Sequence, residues 1–388
     1  MLKKTLEDLC GFGHRATTTA NERKAADYLF SGLEKLGYAA SLEEFRSPGT
    51  FSWTYFAIYL GFAISIPLSL YLPVASLIIF LVTLVLFLGE QTTLFSPLTE
   101  IIFARGRSQN VLGRRAGSRG QAGKRLWLVA HYDSSKTSLA FSPSSVPLLR
   151  PLFLFSLILL ALAFFILLFG FRTALIHRLP LKVGLFFSGA YFFYMALMML
   201  ERELRGVPVM GAADNASGVA VVMELARRLS QKPLSHIDFA VLFTGAEEVE
   251  MVGMSHFLKR HERELSPEKD YFLNFDSLGD GKLCWITKEG MIRPLAGSAA
   301  LMGLAGELSR EEKFSSIAGC PFTALTLDTL VPRARGFQVL SFMALTEKKF
   351  PKPWHWFDDT LERVDLNKLL LAADFAEELV RKFDRSAA

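Results

Sequence analysis

Five short stretches of the chain hold histidine and carboxylate side chains in a pattern that suits a pair of metal ions. They are Val129-Ala-His131-Tyr-Asp133, Gly211-Ala-Ala-Asp214-Asn-Ala-Ser-Gly218, Thr244-Gly-Ala-Glu247-Glu248, Asn274-Phe-Asp276-Ser277 and Pro353-Trp-His355-Trp-Phe-Asp-Asp359. Hard carboxylate oxygens mixed with imidazole, and no cysteine among them, favour a hydrolytic Zn²⁺, Co²⁺ or Mn²⁺ pair over a structural zinc. Most of the five end or follow a run that reads as a buried strand, the place where an α/β sheet carries its chemistry.

His131 and Asp133 lie two apart in an extended run, so both project to one side. His131 is then a candidate ligand and Asp133 the acceptor for its other ring N–H; alone, the two also fit a plain hydrogen-bonded pair. Asp214 sits in a Gly/Ala-lined turn opening a helix, with Asn215 and Ser217 placed to satisfy free backbone N–H groups. An N-cap explains the aspartate but not the small residues on both sides, which make sense if something approaches its carboxylate closely. Its two oxygens make it the natural bridge between two ions. Glu247 and Glu248 follow the apolar strand Phe239–Phe243, where adjacent carboxylates repel and are costly to desolvate. A metal relieves that conflict by taking one and leaving the other as a general base. A surface loop is the alternative, although Thr244-Gly-Ala is unlike one. Asp276 caps another apolar strand, and His355, between two tryptophans, also fits an aromatic-packed histidine.

The elements that must position these residues follow from hydrophobic periodicity. Thr19-Ala-Asn-Glu opens a helix whose Ala25, Leu29, Leu33 and Leu36 share one face, and Gly37 supplies the left-handed stop. Strands are predicted at Ala40–Arg46, Gln109–Arg114, Leu126–Ala130, Ile237–Phe243, Tyr271–Phe275 and Gln338–Ala344. Helices are predicted at Val219–Leu229, Val252–Glu264, Ala296–Leu308 and Asn367–Phe383. Alternating strands and helices predict an α/β domain with a mostly parallel, mixed sheet sandwiched by helices.

Four uncharged stretches interrupt that pattern: Trp53–Tyr71, Leu72–Gly89, Pro151–Phe171 and Val183–Leu200. Each approaches the ~20 apolar residues that span a bilayer core, and each exceeds the ~10–14 typical of a buried core helix. They predict four transmembrane helices inserted as two hairpins, 51–90 and 149–200, into one discontinuous domain of 1–50, 104–148 and 201–388. The start, Met1-Leu-Lys-Lys-Thr-Leu-Glu-Asp, is charged and has no apolar run of a secretory signal. The simplest insertion therefore leaves the catalytic domain in the cytoplasm, attached to the cell membrane as a multi-pass protein. Arg46, Arg105, Arg107, Lys136, Arg150, Arg202 and Arg205 on that side agree weakly against Arg172, Arg178 and Lys182 on the other. The second hairpin enters the chain between Asp133 and Asp214, which predicts a metal site opening toward the bilayer.

The net charge is +5, and the basic residues Arg105, Arg107, Arg114, Arg115, Arg119, Lys124 and Arg125 lie between the membrane segments without interleaved aromatics. That fits a lipid-facing or solvated surface and no nucleic-acid partner. Cys10, Cys284 and Cys320 are too few and too scattered for a disulfide framework or a Cys-type zinc site and read as packed thiols.

Taken together, the five motifs resemble those of the M28 family of zinc peptidases, closely from Gln109 onward outside the hairpins and loosely over Thr19–Ser47. The resemblance implies two Zn²⁺ per chain, with Co or Mn as options. His131, Asp214 and Asp276 would hold one ion, and Asp214, Glu248 and His355 the other. It assigns Glu247 as general base, Asp133 as partner of His131, and a peptide or amide carrying a free amino terminus as substrate. Trp356 stands where the family usually has Thr or Ser, which puts the pocket wall beside His355 in doubt. The Pro-Trp-His wording also resembles glutaminyl cyclases, which use a single zinc on residues matching Asp214, Glu248 and His355. An amidase for N-acylated or lipid-linked amino acids and a non-catalytic binding module are further options, the last disfavoured because no ligand is missing. Oligomeric state is not implied by any of these features.

Overall fold

The computed structural model describes residues 1–92, 96–115, 123–169 and 178–387. Arg119, in the turn-rich stretch before Gly123, and Arg172, in the loop between the last two apolar stretches, lie outside the described residues. The chain forms two compact units. The first comprises Met1–Gly49, Gly106–Thr137 and Val207–Ala388, and the second comprises Thr50–Arg105 and Ser138–Gly206.

The first unit is built on nine strands: β1 (Ala39–Ser47), β2 (Gly106–Arg114), β3 (Arg125–His131), β4 (Asp238–Thr244), β5 (Asp270–Phe275), β6 (Lys282–Glu289), β7 (Leu295–Ala296), β8 (Ala318–Phe322) and β9 (Gln338–Leu345). They form one sheet in the order β1-β2-β4-β3-β5-β9-β6-β7, with β8 paired to β6. The centre, β4-β3-β5-β9, is parallel throughout. The pairings β1-β2, β2-β4, β6-β7 and β6-β9 are antiparallel and β6-β8 is parallel, so the sheet is mixed, with its parallel centre covered on both faces.

Alternation along β3 shows how both faces are filled. Leu126, Leu128 and Ala130 enter a core with the helices Leu2–Cys10, Ala20–Lys35, Ser217–Gln231, Ala299–Leu308 and Leu366–Arg385. Trp127 and Val129 enter the opposite core with Phe272, Val339 and the helix Val252–Arg260, through Met254, Phe257 and Leu258. Every side chain from Leu126 to Ala130 is inaccessible to solvent, so truncating one, as in Leu128→Ala, removes roughly 2–5 kcal/mol of stability. The Ala20–Lys35 helix begins with the Thr19 hydroxyl accepting the Glu22 N–H, and Gly37 adopts φ 81° just beyond its end.

The helices Leu2–Cys10 and Leu330–Ala334 and the strands β6, β7 and β8 carry no prediction from the sequence. Cys284 on β6 and Cys320 on β8 bring their Sγ atoms to 2.8 Å, while Cys10 is buried in the first core.

The second unit is helical. Pro73–Thr92, Val146–Phe169 and Leu179–Arg205 are each long and apolar enough to cross a membrane. The first apolar stretch, Trp53–Tyr71 in the sequence, forms a shorter helix, Ser52–Leu68, because Pro67 occupies its last turn and the chain turns before Pro73 opens the next helix. The unit has its own aromatic centre, where Phe62 meets Phe80, Phe87 and Phe192 at ring-centroid distances of 5.4, 6.0 and 5.3 Å. Gly61 and Gly189 allow close approach: a Cβ at Gly61 would lie 2.6 Å from Thr83 Oγ1, and one at Gly189 3.0 Å from Pro67 Cδ. Val82, Val85, Phe165, Phe186 and Phe193 project from this bundle with half or more of their surface exposed.

Candidate metal centre

The seven residues singled out from the sequence converge at the carboxyl ends of the parallel strands. His131 ends β3, Glu247 and Glu248 follow β4, and Asp276 follows β5. Asp214 lies in the turn before the helix Ser217–Gln231, and His355 in the segment after β9. His131 Nε2 lies 3.2 Å from Asp214 Oδ1, 3.7 Å from Asp276 Oδ2 and 4.0 Å from Glu247 Oε2. His355 Nε2 lies 3.1 Å from Asp214 Oδ2 and 3.0 Å from Glu248 Oε2. Asp214 thus turns one oxygen to each imidazole. Ligand atoms of His131, Asp214 and Glu248, all buried, fall within 4.8 Å of one another, a group able to hold a metal ion.

The turn carrying Asp214 is tied down from both sides. Gly211 precedes it at φ 65°, where a Cβ would lie 2.6 Å from the Asp214 carbonyl oxygen and 2.7 Å from Ser134 Cβ. The Asn215 side chain donates to the Phe275 carbonyl at 2.9 Å and accepts from Gly218 N and Ser277 N, binding the turn to the end of β5 beside Asp276. Ser217 Oγ accepts from Leu278 N at 2.9 Å. Gly218 has no room for a side chain, since a Cβ would meet Asn215 Oδ1 and the Phe275 carbonyl at 2.3 Å. The Asp214–Asn215 peptide is cis.

Asp133 lies beneath the glutamates. Its carboxylate accepts the backbone N–H groups of Glu247 and Glu248, each at 3.1 Å, and the Thr17 hydroxyl at 2.9 Å, while Oδ1 faces His131 Nδ1 at 3.5 Å. The Glu247–Glu248 loop is further bracketed by Asn110, which accepts from Gly245 N and donates to the Gly253 carbonyl.

Charge is concentrated here in a largely buried site. Burial alone would depress His131, but Glu247 and the contacts with Asp133, Asp214 and Asp276 raise its pKa well above the usual value. Burial likewise opposes protonation of His355, yet Glu248 and Asp214 raise it to about 9. Glu247 is pushed far up by burial and by Asp328, Glu248 and Asp276, against the pull of His131. Asp214 is driven down despite burial because both histidines contact it. Several carboxylates crowded into one buried site, with Glu248 Oε1 making no hydrogen bond among the described residues, form a donor set that a divalent cation would neutralise.

Three contributors escaped sequence reasoning. Asp359 accepts from Ala213 N at 2.6 Å and Asp214 N at 3.2 Å, fixing the Asp214 turn; burial and the Asp214 charge raise its pKa to about 7. Its place at the end of the His355 motif was the available signal. Asp328 is buried and accepts the Thr244 hydroxyl behind Glu247. Arg15 is fully buried and donates to backbone carbonyls on both sides of the site. Neither has a distinguishing local pattern.

The sequence model for peptidase family M28 matches residues 197–380, which include Asp214, Glu247, Glu248, Asp276 and His355. A probable lipoprotein aminopeptidase, LpqL of Mycobacterium tuberculosis, is 27% identical over 201 residues, covering 45% of this chain and 40% of that protein. The chain therefore spans about two fifths of the length of this curated relative. A zinc-dependent exopeptidase from Parabacteroides distasonis superposes with a TM-score of 0.56 at 15% identity, covering 98% of this chain and 96% of that one. A zinc aminopeptidase from Bacillus subtilis gives 0.57 at 15% identity, covering 98% and 94%. The glutaminyl cyclase of Porphyromonas gingivalis gives 0.55 at 14% identity, covering 98% and 97%. The fold is that of the zinc aminopeptidases. In sequence the chain is similar to peptidase family M28 over 197–380 and to an aminopeptidase over about two fifths of that protein's length.

Proposed function

We propose that the chain is a membrane-anchored di-zinc aminopeptidase that removes amino-terminal residues from peptides, including apolar or membrane-held ones. The observation that carries this reading is the division of the Asp214 carboxylate, Oδ1 toward His131 at 3.2 Å and Oδ2 toward His355 at 3.1 Å. His131 and Asp276 would complete one ion's protein ligands, and Glu248 and His355 the other's. Bound zinc supplies Lewis acidity that polarises the scissile carbonyl and lowers the pKa of a water. Glu247 takes the proton of the attacking water and returns it to the departing amine. Its raised pKa brings it toward the range a general base needs. Asp133 holds the backbone of both glutamates, and thereby the position of the base relative to the ligands.

Metal analysis of purified protein tests this reading. Two zinc ions per chain, with release of free amino-terminal residues from aminoacyl reporters and loss of both ions in Asp214→Ala, are expected. One zinc per chain with cyclisation of Gln-peptides would replace the reading with a glutaminyl cyclase. Cleavage confined to N-acylated substrates would replace it with an amidase.

Membrane attachment as two hairpins is supported by the three long apolar helices and by their exposed apolar side chains. The proposed orientation leaves the catalytic domain in the cytoplasm. Reporter fusions at the carboxyl terminus and at Arg178 check it, and an exported carboxyl terminus overturns it.

A further inference from the structure

Beside the candidate metal centre the sheet carries a second polar cluster that the proposed reaction does not use. Thr244, Asn274 and Ser341 lie near the carboxyl ends of β4, β5 and β9. By alternation they continue the face formed lower down by Leu242, Phe272 and Val339, which belong to the core around Trp127 and Phe257. The apolar face therefore turns polar at its upper edge. Asp328 and Thr329, Arg333 on the helix Leu330–Ala334, and Glu289 at the end of β6 surround this edge. Thr244 Oγ1 donates to Asp328 Oδ2, and Thr329 Oγ1 donates to Glu289 Oε2 at 2.7 Å and lies 2.9 Å from Ser341 Oγ. Arg333 Nη2 stands 3.5 Å from Glu289 Oε2, and Asn274 pairs with Ser341 in the sheet register.

Six polar atoms in this buried cluster make no hydrogen bond among the described residues: Asn274 Oδ1 and Nδ2, Glu289 Oε1, Asp328 Oδ1, and Arg333 Nε and Nη2, the last holding only its 3.5 Å ion-pair contact with Glu289. Folded proteins rarely leave such groups dry, because each then forfeits its hydration without return. The cluster adjoins the reaction site. Asn274 is two residues before Asp276 on one strand, about 7 Å along it, and Thr244 lies opposite His131 in the β3-β4 register. Glu289 and Asp328 both feel the charge of Asp276.

We infer that this cluster is the pocket for the side chain of the substrate's amino-terminal residue, and that it takes an uncharged group that both donates and accepts hydrogen bonds, a carboxamide above all. The inference rests on the exopeptidase reading of the adjoining site. Three of the six atoms are acceptors, while Arg333 Nε and Nη2 and Asn274 Nδ2 are donors. A side-chain carboxylate would face Glu289 and Asp328. An ammonium would face Arg333 and leave the donors unmet, and an aliphatic chain would leave all six unmet. A carboxamide answers both kinds at once.

The test compares Gln-Ala, Asn-Ala, Met-Ala, Leu-Ala, Glu-Ala and Lys-Ala as substrates of the zinc-loaded full chain, with products identified by mass so that hydrolysis and cyclisation are counted separately. Gln-Ala or Asn-Ala is expected to exceed the similarly sized Met-Ala or Leu-Ala in kcat/KM by about 100-fold or more, the scale reached by sites built to hydrogen-bond a substrate group. Asn274→Leu, which keeps the shape and removes the amide, should shrink that ratio by about tenfold with zinc content unchanged. Preference for Met-Ala or Leu-Ala in the natural sequence overturns the inference. A ratio unchanged in Asn274→Leu while the melting temperature falls also overturns it and assigns the cluster to structure alone. If no dipeptide is turned over, the exopeptidase reading fails by itself. Calorimetric binding of glutamine amide against methionine amide to zinc-loaded Glu247→Gln protein then decides the pocket independently, and equal affinities refute it.

Discussion

Arg15 donates through Nη2 to the Gly211 carbonyl at 2.8 Å, across 196 positions of sequence. The same guanidinium reaches the Tyr132 carbonyl at 2.6 Å and the Met210 carbonyl at 2.8 Å. One side chain thus joins the peptide after His131 to the turn before Asp214. Burial lowers its pKa, and the fields of Asp359, Asp133 and Asp214 oppose that shift, so the acidic site and the buried cation stabilise each other. Arg15→Met strands these carbonyls and leaves the acids uncompensated. It should cost about 3–5 kcal/mol of stability and weaken zinc binding, read by urea denaturation and chelator competition.

Asp133→Asn offers a donor where Asp133 now accepts two backbone N–H groups and the Thr17 hydroxyl. The Glu247–Glu248 backbone should lose its alignment without losing a proposed ligand. Zinc affinity is expected to fall about 10–100-fold, as for other residues that orient ligands. Thr17→Val, which removes one of the three hydrogen bonds, should fall less.

Glu247→Gln keeps the size of the proposed base and removes its ability to accept a proton. Turnover should drop by about 10²–10⁴ while zinc stays bound. Metal analysis beside single-turnover kinetics separates this outcome from ligand loss, and a variant that loses zinc together with turnover would reassign Glu247 as a ligand.

Protonation links the metal centre to stability. In metal-free protein His355 rises from 6.5 to about 9, chiefly through Glu248 and Asp214 against the effect of burial. A folded-state pKa above the unfolded one contributes stability that is complete below about 6.5 and is lost as pH rises through about 9. Metal-free protein should therefore grow less stable across that window. Zinc requires the neutral imidazole, so apparent zinc affinity should rise over the same range, with proton release that becomes smaller toward its upper end. Denaturation of metal-free protein at several pH values, paired with zinc titrations, checks both signs.

The parallel centre of the sheet was legible because β3, β4, β5 and β9 are apolar runs buried on both faces and bounded by turn residues. The carboxylates and imidazoles at their ends stood out for the same reason, as polar residues where burial would otherwise exclude them. The flank formed by β6, β7 and β8 was not. β6 reads Lys282-Leu-Cys-Trp-Ile-Thr-Lys-Glu289, with a register shift between Ile286 and Lys288 that breaks its alternation. The helix Leu2–Cys10 did have a signal, Leu2, Leu6 and Leu9 on one buried face, masked by the charges between them. Arg15 had none. Its partners are backbone carbonyls contributed by Leu9, Tyr132, Met210 and Gly211, and a carbonyl leaves no mark of its identity in a sequence.

Synthesis presents the five candidate ligands in an order unlike their order in space. His131 is made first, then the long apolar helices Val146–Phe169 and Leu179–Arg205, and only afterwards Asp214, Glu248, Asp276 and finally His355. β4 and β5, the two strands that flank His131 in the sheet, are likewise translated after those helices. While those apolar helices are being made, the chain therefore carries His131 without the carboxylates proposed to share a cation with it. The proposed metal centre is complete only once translation has passed His355.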